Sequence, residues 1–507
     1  MATVDEEPPP SSNDNDEVTD DRQHNSLVKP TKGNAFLHFF KTVEDFLFQR
    51  HHPHYRNHHE KQHVPQKKDA VLLYGCQSVE EHHQKRKDQT ERIRLLHGKE
   101  GLKALNLEYR LVPCDRHKEE IPAAAVTAAA DQPSDPCCTS EPIGSQTSSN
   151  NDGEDILVIF RDKLPCHECV QRLFHIPSGI LITEANRKQF CADGDMYEEV
   201  TRLCQEYAQD CMCQEGDLEW LTVETVSTSG QKEDIRMMVS RGHAVSKEES
   251  TLGAEERERP TLLIATGRGK VRAGIFSRRH LMCSGLESAT AIPLVREAAA
   301  RGIHVIVLDP NVHGDTNGFV TFTKSMDYYY QKMKDCLHAT GLYVVSHSAS
   351  GGHMARYLLD KSEEVLTHFR AIAFTDSTHN IQWTKKKTTA APSAHHSRSL
   401  FTVAKSVTGD VEEGSTSPLQ DFLESERCVY FRCANVRRGS LALSIQPAGE
   451  PVQTDAFWTH RFGKIRTFWA GTDEHSLTNW YAHTKIWEHF DHFLLMQKII
   501  AKSVKEA

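Results

Sequence analysis

From Thr261 onward the chain alternates short, predominantly apolar runs with amphipathic segments. The apolar runs are TLLIA (261–265), HVIVL (304–308), LYVV (342–345), AIAFT (371–375) and RTFWA (466–470). Runs of this length in which apolar residues follow one another without alternation predict strands buried on both faces, as in a parallel sheet. Helical spacing predicts helices over 291–301, about 325–340 and 353–368, with Gly302 and Gly341 where helix C-terminal caps belong. The alternation predicts an α/β fold: a mostly parallel sheet flanked by helices. Upstream, ILVIF (156–160), GILIT (179–183) and LEWLTVETV (218–226) predict further strands. DMYEEVTRLCQEYAQDCM (195–212) predicts a helix with Tyr197, Val200, Leu203, Cys204 and Tyr207 on one side. Residues 227–260 are expected to form a polar stretch.

The N-terminal third has a different pattern. Residues 1–33 are acidic and rich in Pro and Ser, the composition of a disordered tail. Residues 34–120 are expected to form an accessory region. It opens with AFLHFFKTVEDFLF, where Phe36, Phe39, Phe40, Val43, Phe46 and Leu47 give a helix with one aromatic face. His51, His52, His54, His58, His59 and His63 follow, irregularly spaced around Pro53, which favours a solvated linker over a metal site. Residues 121–154 are expected to be a second linker and 155–507 the main domain. That domain is interrupted by a Lys/Ser/Thr-rich surface insertion at about 380–426, expected either to act as a lid or to be disordered.

Composition narrows the function class. The 507 residues carry a net charge of −10, which argues against a protein that coats nucleic acid. No apolar run approaches the ~20 residues a membrane helix needs, and the N-terminus does not resemble a signal peptide. A soluble protein of the nucleus or cytoplasm, not secreted, is the expectation. Fourteen cysteines without a regular framework suit reduced thiols. Cys166, His167, Glu168 and Cys169, with Cys204, Cys211 and Cys213, invite a zinc reading, but the second half has CxC spacing and no repeat of the first pair. No metal and no cofactor are expected.

The candidate chemistry lies where the predicted strands end. LYVVSHSASGGHMARYLL (342–359) reads as strand, tight corner and helix, the nucleophile elbow of an α/β-hydrolase. Ser348 and Ser350 both fit the small-x-Ser-x-small pattern, and the strand end favours Ser348. The loop after TLLIA supplies Gly267, Arg268 and Gly269, which with Ala349 are candidates for an oxyanion hole. After AIAFT come Asp376 and His379, and after RTFWA come Asp473 and His475. Asp376 as acid and His475 as base follow the hydrolase chain order, with Asp473 and His379 as alternatives. Asp376 has two structural alternatives, capping its turn or pairing with Arg272. Arg268, Lys270 and Arg272 are candidates for holding an anion, although the P-loop spacing is absent. Trp458, Trp469 and Trp480 read as core or cleft-wall aromatics.

Five phrases, GRGKVRAG, IPLVREAAARGIHVIVLDPN, VVSHSASGG, AIAFTDSTHN and AGTDEHSLTNW, together resemble the Argonaute-binding-protein domain of the Arb-two type. That family includes animal cotranscriptional regulators, fungal RNA-silencing chaperone subunits and the C-terminal domain of fungal class II histone deacetylases. The resemblance implies an α/β-hydrolase-like fold. It places Ser348 at the elbow with His347 before it, Asp376 in the TDS-x-HN phrase and His475 in the GTD-x-H phrase. It departs from the family at Thr266, where the family's oxyanion loop begins with histidine, and at Ser350, an extra residue between the serine and the glycine pair. It implies a nuclear role in RNA silencing, heterochromatin or cotranscriptional regulation through Argonaute, chromatin or splicing partners, with residual hydrolase activity. The alternative is an active serine hydrolase of esters, thioesters or amides. Neither reading calls for a membrane or direct nucleic-acid contact.

Overall fold

The computed structural model describes residues 79–114, 169–190, 195–226, 230, 232–241, 259–359, 361, 363–380, 418–434, 445–454 and 456–506. The acidic tail, the aromatic-faced helix, the histidine run, the linker at 121–154, the strand expected at 156–160 and most of the 380–426 insertion lie outside them.

The first described elements are helices α1 (Val79–Ile93) and α2 (Gly98–Ala104) and strand β1 (Leu107–Val112). β1 pairs antiparallel with β2 (Val170–His175), and β2 with the short β3 (Ile180–Leu181), in a separate three-stranded sheet. Leu102 and Leu107 are buried in the same core as Leu203 of the long helix α3 (Asp195–Glu215). The boundary expected at Asp155 therefore does not divide the fold. Chain on both sides of it forms one sheet and one apolar layer.

The main sheet has eight strands: β4 (Leu218–Val226), β5 (Lys232–Ser240), β6 (Thr261–Ala265), β7 (His304–Leu308), β8 (Leu342–His347), β9 (Phe369–Thr375), β10 (Cys428–Arg432) and β11 (Arg466–Trp469). Their order is β11-β10-β9-β8-β6-β7-β5-β4. Pairing is parallel from β11 through β7, while β5 runs antiparallel to both its neighbours, β7 and β4. A parallel sheet with one reversed strand near one edge, crossed by helices, is the α/β-hydrolase arrangement.

Period-two alternation divides the strands between two cores. Leu262, Ile264, Val305, Val307, Tyr343, Val345, Ala371 and Ala373 face the layer that holds α3, α4 (Arg278–Cys283) and α5 (Ile292–Ala300). Leu263, Ile306, Leu308, Val344, Ile372 and Phe374 face the opposite layer, with α6 (Gly318–Thr340) and α7 (Ala349–Leu359). Gly302 and Gly341 end α5 and α6 at φ of 67° and 79°, as expected of C-terminal caps.

Three expectations are corrected. The polar stretch at 227–260 contains β5, whose charged start, Lys232 to Asp234, belongs to a hairpin reaching past the sheet; only Met237 to Val239 pair with β7. The insertion at about 380–426 ends in α9 (Pro418–Glu424), where Leu419, Phe422 and Leu423 are buried, and leads directly into β10. The helix expected over 353–368 is two, α7 and α8 (Glu363–His368), and α6 begins seven residues before the predicted 325. Among the described residues no helix is long and apolar enough to cross a membrane.

Candidate active site

Register brings the candidates together. His347 pairs with Thr375 and Thr375 with Phe431, so the residues just past β8, β9 and β10 are Ser348, Asp376 and Cys433. Backbone bonds fix this row: Ser348 N–H donates to Thr375 C=O (3.0 Å), and Asp376 N–H to Phe431 C=O (2.7 Å). His475 arrives from the loop after β11. That loop is held to the row by Ala434 N–H donating to Thr472 C=O (2.7 Å).

Ser348 has φ of 56°, a left-handed conformation that few residues other than Gly, Asn and Asp adopt. Among the described residues, the other non-glycine positions with positive φ are Asn106, Asp217 and Asp376. The sharp turn from β8 into α7 imposes this geometry. Ser350, the alternative nucleophile, is fully buried as the second residue of α7, and its hydroxyl donates to the Thr266 carbonyl. Its part is structural: it ties the elbow helix to the loop opposite.

That loop approaches the serine closely. A Cβ at Gly267 would stand 2.8 Å from Ser348 Cβ and 3.2 Å from its Oγ, so only glycine fits without displacing that side chain. Asn311 holds the loop there, its amide donating to Gly267 C=O (2.8 Å) and Val271 C=O (3.0 Å). Ala349 opens α7, where backbone amides have no partner within the helix. Arg268 is half-buried and Gly269 has φ of 126°.

Asp376 Oδ2 lies 2.5 Å from His475 Nδ1. This bond leaves Nε2 as the ring nitrogen to meet the serine. Among the described residues no hydrogen bond joins Ser348 Oγ to the His475 ring, a contact that in ligand-free serine hydrolases is often longer than in the reacting complex. The His475 ring is located from its other side by His347, which stacks on it at 4.7 Å. His347 bonds Thr375 Oγ1 through Nδ1 (3.2 Å) and meets the edge of Phe276 at 5.2 Å. Burial, then the neighbouring His475, pushes its pKa down to about 3, so it is a neutral wall. Glu474 anchors the same loop to α4, 2.9 Å from Arg279 Nη2 and 3.4 Å from His280 Nε2. The hydrogen bond to His280 leads the causes that lower its pKa to about 2.

Cys433 is the residue the sequence reading missed. Its thiol donates to Asp376 Oδ2 (2.8 Å) and its N–H to Oδ1 (3.4 Å), so the carboxylate receives donors on both oxygens. Burial, followed by the Asp376 charge, raises the thiol far above its ordinary pKa, which keeps it a protonated donor. Cys433 could be found only by recognising β10 first.

The other candidates go elsewhere. His379 is buried among Phe374 (4.5 Å), Tyr430 (4.8 Å) and Phe462 (4.8 Å). Burial drives its pKa to about 3, which makes it a core residue and not the base. Asp473 is exposed, and the carboxylate on His475 is that of Asp376. Arg272 does not pair with Asp376. It holds the fully buried Asp309 at 2.8 Å, while Lys270 pairs with Glu198 at 3.1 Å. Trp458 stacks on Phe462 (4.9 Å) beneath Arg432 (3.7 Å), and Trp480 lines a cavity. Cys204, Cys211 and Cys213 are desolvated thiols with pKa values raised to about 12, 12 and 11, mainly by burial. Among the described residues no three potential metal ligands cluster.

No family model matches the chain. A cotranscriptional regulator ARB2A homolog of Gallus gallus is 25% identical over 176 residues, and the human cotranscriptional regulator ARB2A is 23% identical over the same length. The chain is similar to the Arb2-type cotranscriptional regulators. Both alignments span 24% of this chain and 42% of the relative, so the chain matches less than half the length of these curated relatives. A FAM172 family protein homolog of Caenorhabditis elegans is 29% identical over 101 residues, covering 19% of this chain and 32% of its own length. Of solved structures, the esterase domain of a Rhodothermus marinus protein aligns over 54% of this chain and 98% of its own, at 12% identity and a TM-score of 0.27. Wild-type AbyA5 aligns over 61% and 76%, at 13% identity and a TM-score of 0.32. Of the five phrases quoted from the sequence, four contribute residues around Ser348, Asp376 and His475, and the fifth reaches the site through Asn311.

Proposed function

We propose that this Arb2-like chain is a serine hydrolase of ester, thioester or amide bonds. The observation that carries the reading is the Ser348 elbow at φ 56° beside an imidazole held by a carboxylate, His475 Nδ1 to Asp376 Oδ2 at 2.5 Å. Ser348 Oγ attacks the carbonyl carbon and its proton passes to His475 Nε2. The negative charge on the former carbonyl oxygen is met by amides of the 267–269 loop and of Ala349. Collapse of the intermediate breaks the bond to the leaving group, which takes the proton from His475. Water, deprotonated by the same nitrogen, then releases the acid from Ser348. Asp376 keeps the imidazole in the tautomer with hydrogen on Nδ1 and stabilises the imidazolium that forms.

The test is a panel of p-nitrophenyl esters, aryl thioesters and anilides of graded acyl length. The wild type is expected to turn over at least one class. Ser348→Ala is expected to remove that turnover and Ser350→Ala to retain it. Equal activity in both variants, or none in a folded wild type on any class, sinks the proposal.

Similarity to named cotranscriptional regulators favours a second, compatible reading. In it the domain acts in the nucleus through Argonaute, chromatin or splicing partners, with the hydrolase frame as scaffold. Immunoprecipitation of the tagged chain, probed for those proteins in wild type and Ser348→Ala, tests it. Association that survives the substitution supports a scaffold role, and absence of all three partner classes counts against the reading.

A further inference from the structure

Outside the serine site the described surface holds a cavity of about 340 Å³ between the small sheet, α4 and the segment that follows His475. Val170, Leu477 and Trp480 form its apolar wall, and Ser284, Ser288 and Arg172 its polar one. The volume is at the lower end of the range for small-molecule sites, about 300–1,000 Å³.

Arg172 is unusual among the arginines near it. Its guanidinium is half-buried, and the protein gives it one acceptor, the Cys283 carbonyl, at 2.6 Å from Nη2. Nε is buried with no partner, and the side chain lines the cavity. Nearby carboxylates are already engaged: Glu108 by Arg110, Glu184 by Arg187 (3.1 Å), and Glu287 by the Gln171 amide (2.7 Å) and Arg296 (3.4 Å). The Cys283 thiol, raised to about 12 mainly by burial, adds no charge. Burial lowers the Arg172 pKa, with the neighbouring Cys283 opposing it. A partly desolvated cation whose neighbouring carboxylates are engaged elsewhere is unfavourable, and an incoming anion relieves it.

We propose that this cavity is a binding site for a small amphiphilic carboxylate, its charge on Arg172 and its apolar body against Leu477 and Trp480. A single guanidinium with one hydroxyl beside it suits one carboxylate better than a phosphate. Ser284, 2.6 Å from His280 Nδ1, is the secondary contact, because the one hydroxyl hydrogen of Ser288 is already donated to Gly285 C=O (3.1 Å). The site also shares its wall with the base-bearing loop, because Leu477 and Trp480 follow His475 and His280 meets Glu474 (3.4 Å). The proposal does not depend on hydrolysis at Ser348.

The test is calorimetric titration of the full chain carrying Ser348→Ala with hexanoate, 4-phenylbutyrate, neutral 4-phenylbutanol and inorganic phosphate. The carboxylates are expected to bind, with the alcohol weaker by about tenfold or more for want of the charge-assisted bond. Phosphate is expected not to compete. Arg172→Gln should weaken carboxylate binding by a similar factor and Arg172→Lys by less. Ser288→Leu fills the cavity with Arg172 intact and should also remove binding, which decides the matter if Arg172→Gln does not fold. Undetectable binding of both carboxylates, equal affinity for the alcohol, or affinity unchanged by Arg172→Gln or by Ser288→Leu overturns the proposal. Carboxylate bound instead in the serine cleft would be insensitive to both substitutions.

Discussion

Ser348 sits in a conformation that costs a non-glycine residue about 1–3 kcal/mol, and the surrounding residues determine where that strain leaves the hydroxyl. Gly267 permits the close approach of the opposite loop, Asn311 fixes that loop, and Asp376, Cys433 and His347 hold the base. Gly267→Ala places a methyl 2.8 Å from Ser348 Cβ, and turnover is expected to fall by about 100-fold through misalignment of the nucleophile. Asp376→Asn should lower kcat by about 10²- to 10⁴-fold by releasing the imidazole tautomer. Cys433→Ala removes one donor from Asp376 Oδ2 and is expected to lower kcat by only about 2- to 10-fold, with Cys433→Ser restoring much of it. Ester turnover by the purified variants measures all three, and a Cys433→Ala rate equal to wild type would show that the thiol merely fills space. Ser348, Asp376 and His475 were legible in the sequence because each follows an apolar run at a strand end. The roles of Cys433 and Ser350 were not, since one depended on an unrecognised strand and the other on the direction of a hydroxyl inside a helix.

At the scale of elements, the β8–α7 unit lies so close to the loop after β9 that a Cβ at Gly351 would stand 1.7 Å from Ser377 Oγ. Gly351→Ala is expected to destabilise the fold by about 1–3 kcal/mol, read as a lower urea midpoint. Buried histidines give the packed elements a pH dependence. His347, His353 and His379 have pKa values depressed to about 3, in each case chiefly by burial, against an ordinary 6.5. Between those values the unfolded chain binds more protons than the folded one, so stability is full above about pH 6.5 and declines as pH falls toward 3. His379→Phe keeps the aromatic contacts and should flatten the fall in urea midpoint between neutral and acidic pH. An unchanged slope would mean that His379 is not buried neutral. The strands buried on both faces were readable from their predominantly apolar runs. β5 and β10 were not, because the charged half of β5 projects beyond the sheet and β10 abuts a polar stretch and ends in Arg432.

For the whole molecule, chain distant in sequence shares one layer. β1 pairs with β2 across a gap of more than fifty residues, and Leu102 and Leu107 are buried with Leu203. A chain begun at Asp155 should therefore melt at a lower temperature than one begun at Val79, and equal melting would show that this layer is dispensable. Composition and alternation predicted the α/β architecture but not this attachment, since antiparallel pairing between remote strands leaves no local pattern. The central claim, that the fold presents one activated serine, is tested most directly by treating the full chain with a fluorophosphonate probe and mapping the adduct by peptide mass spectrometry. The account predicts a single adduct on Ser348, retained in Ser350→Ala, lost in Ser348→Ala and formed much more slowly in His475→Ala. A folded wild type that takes no adduct, or takes it on Ser350, would contradict it.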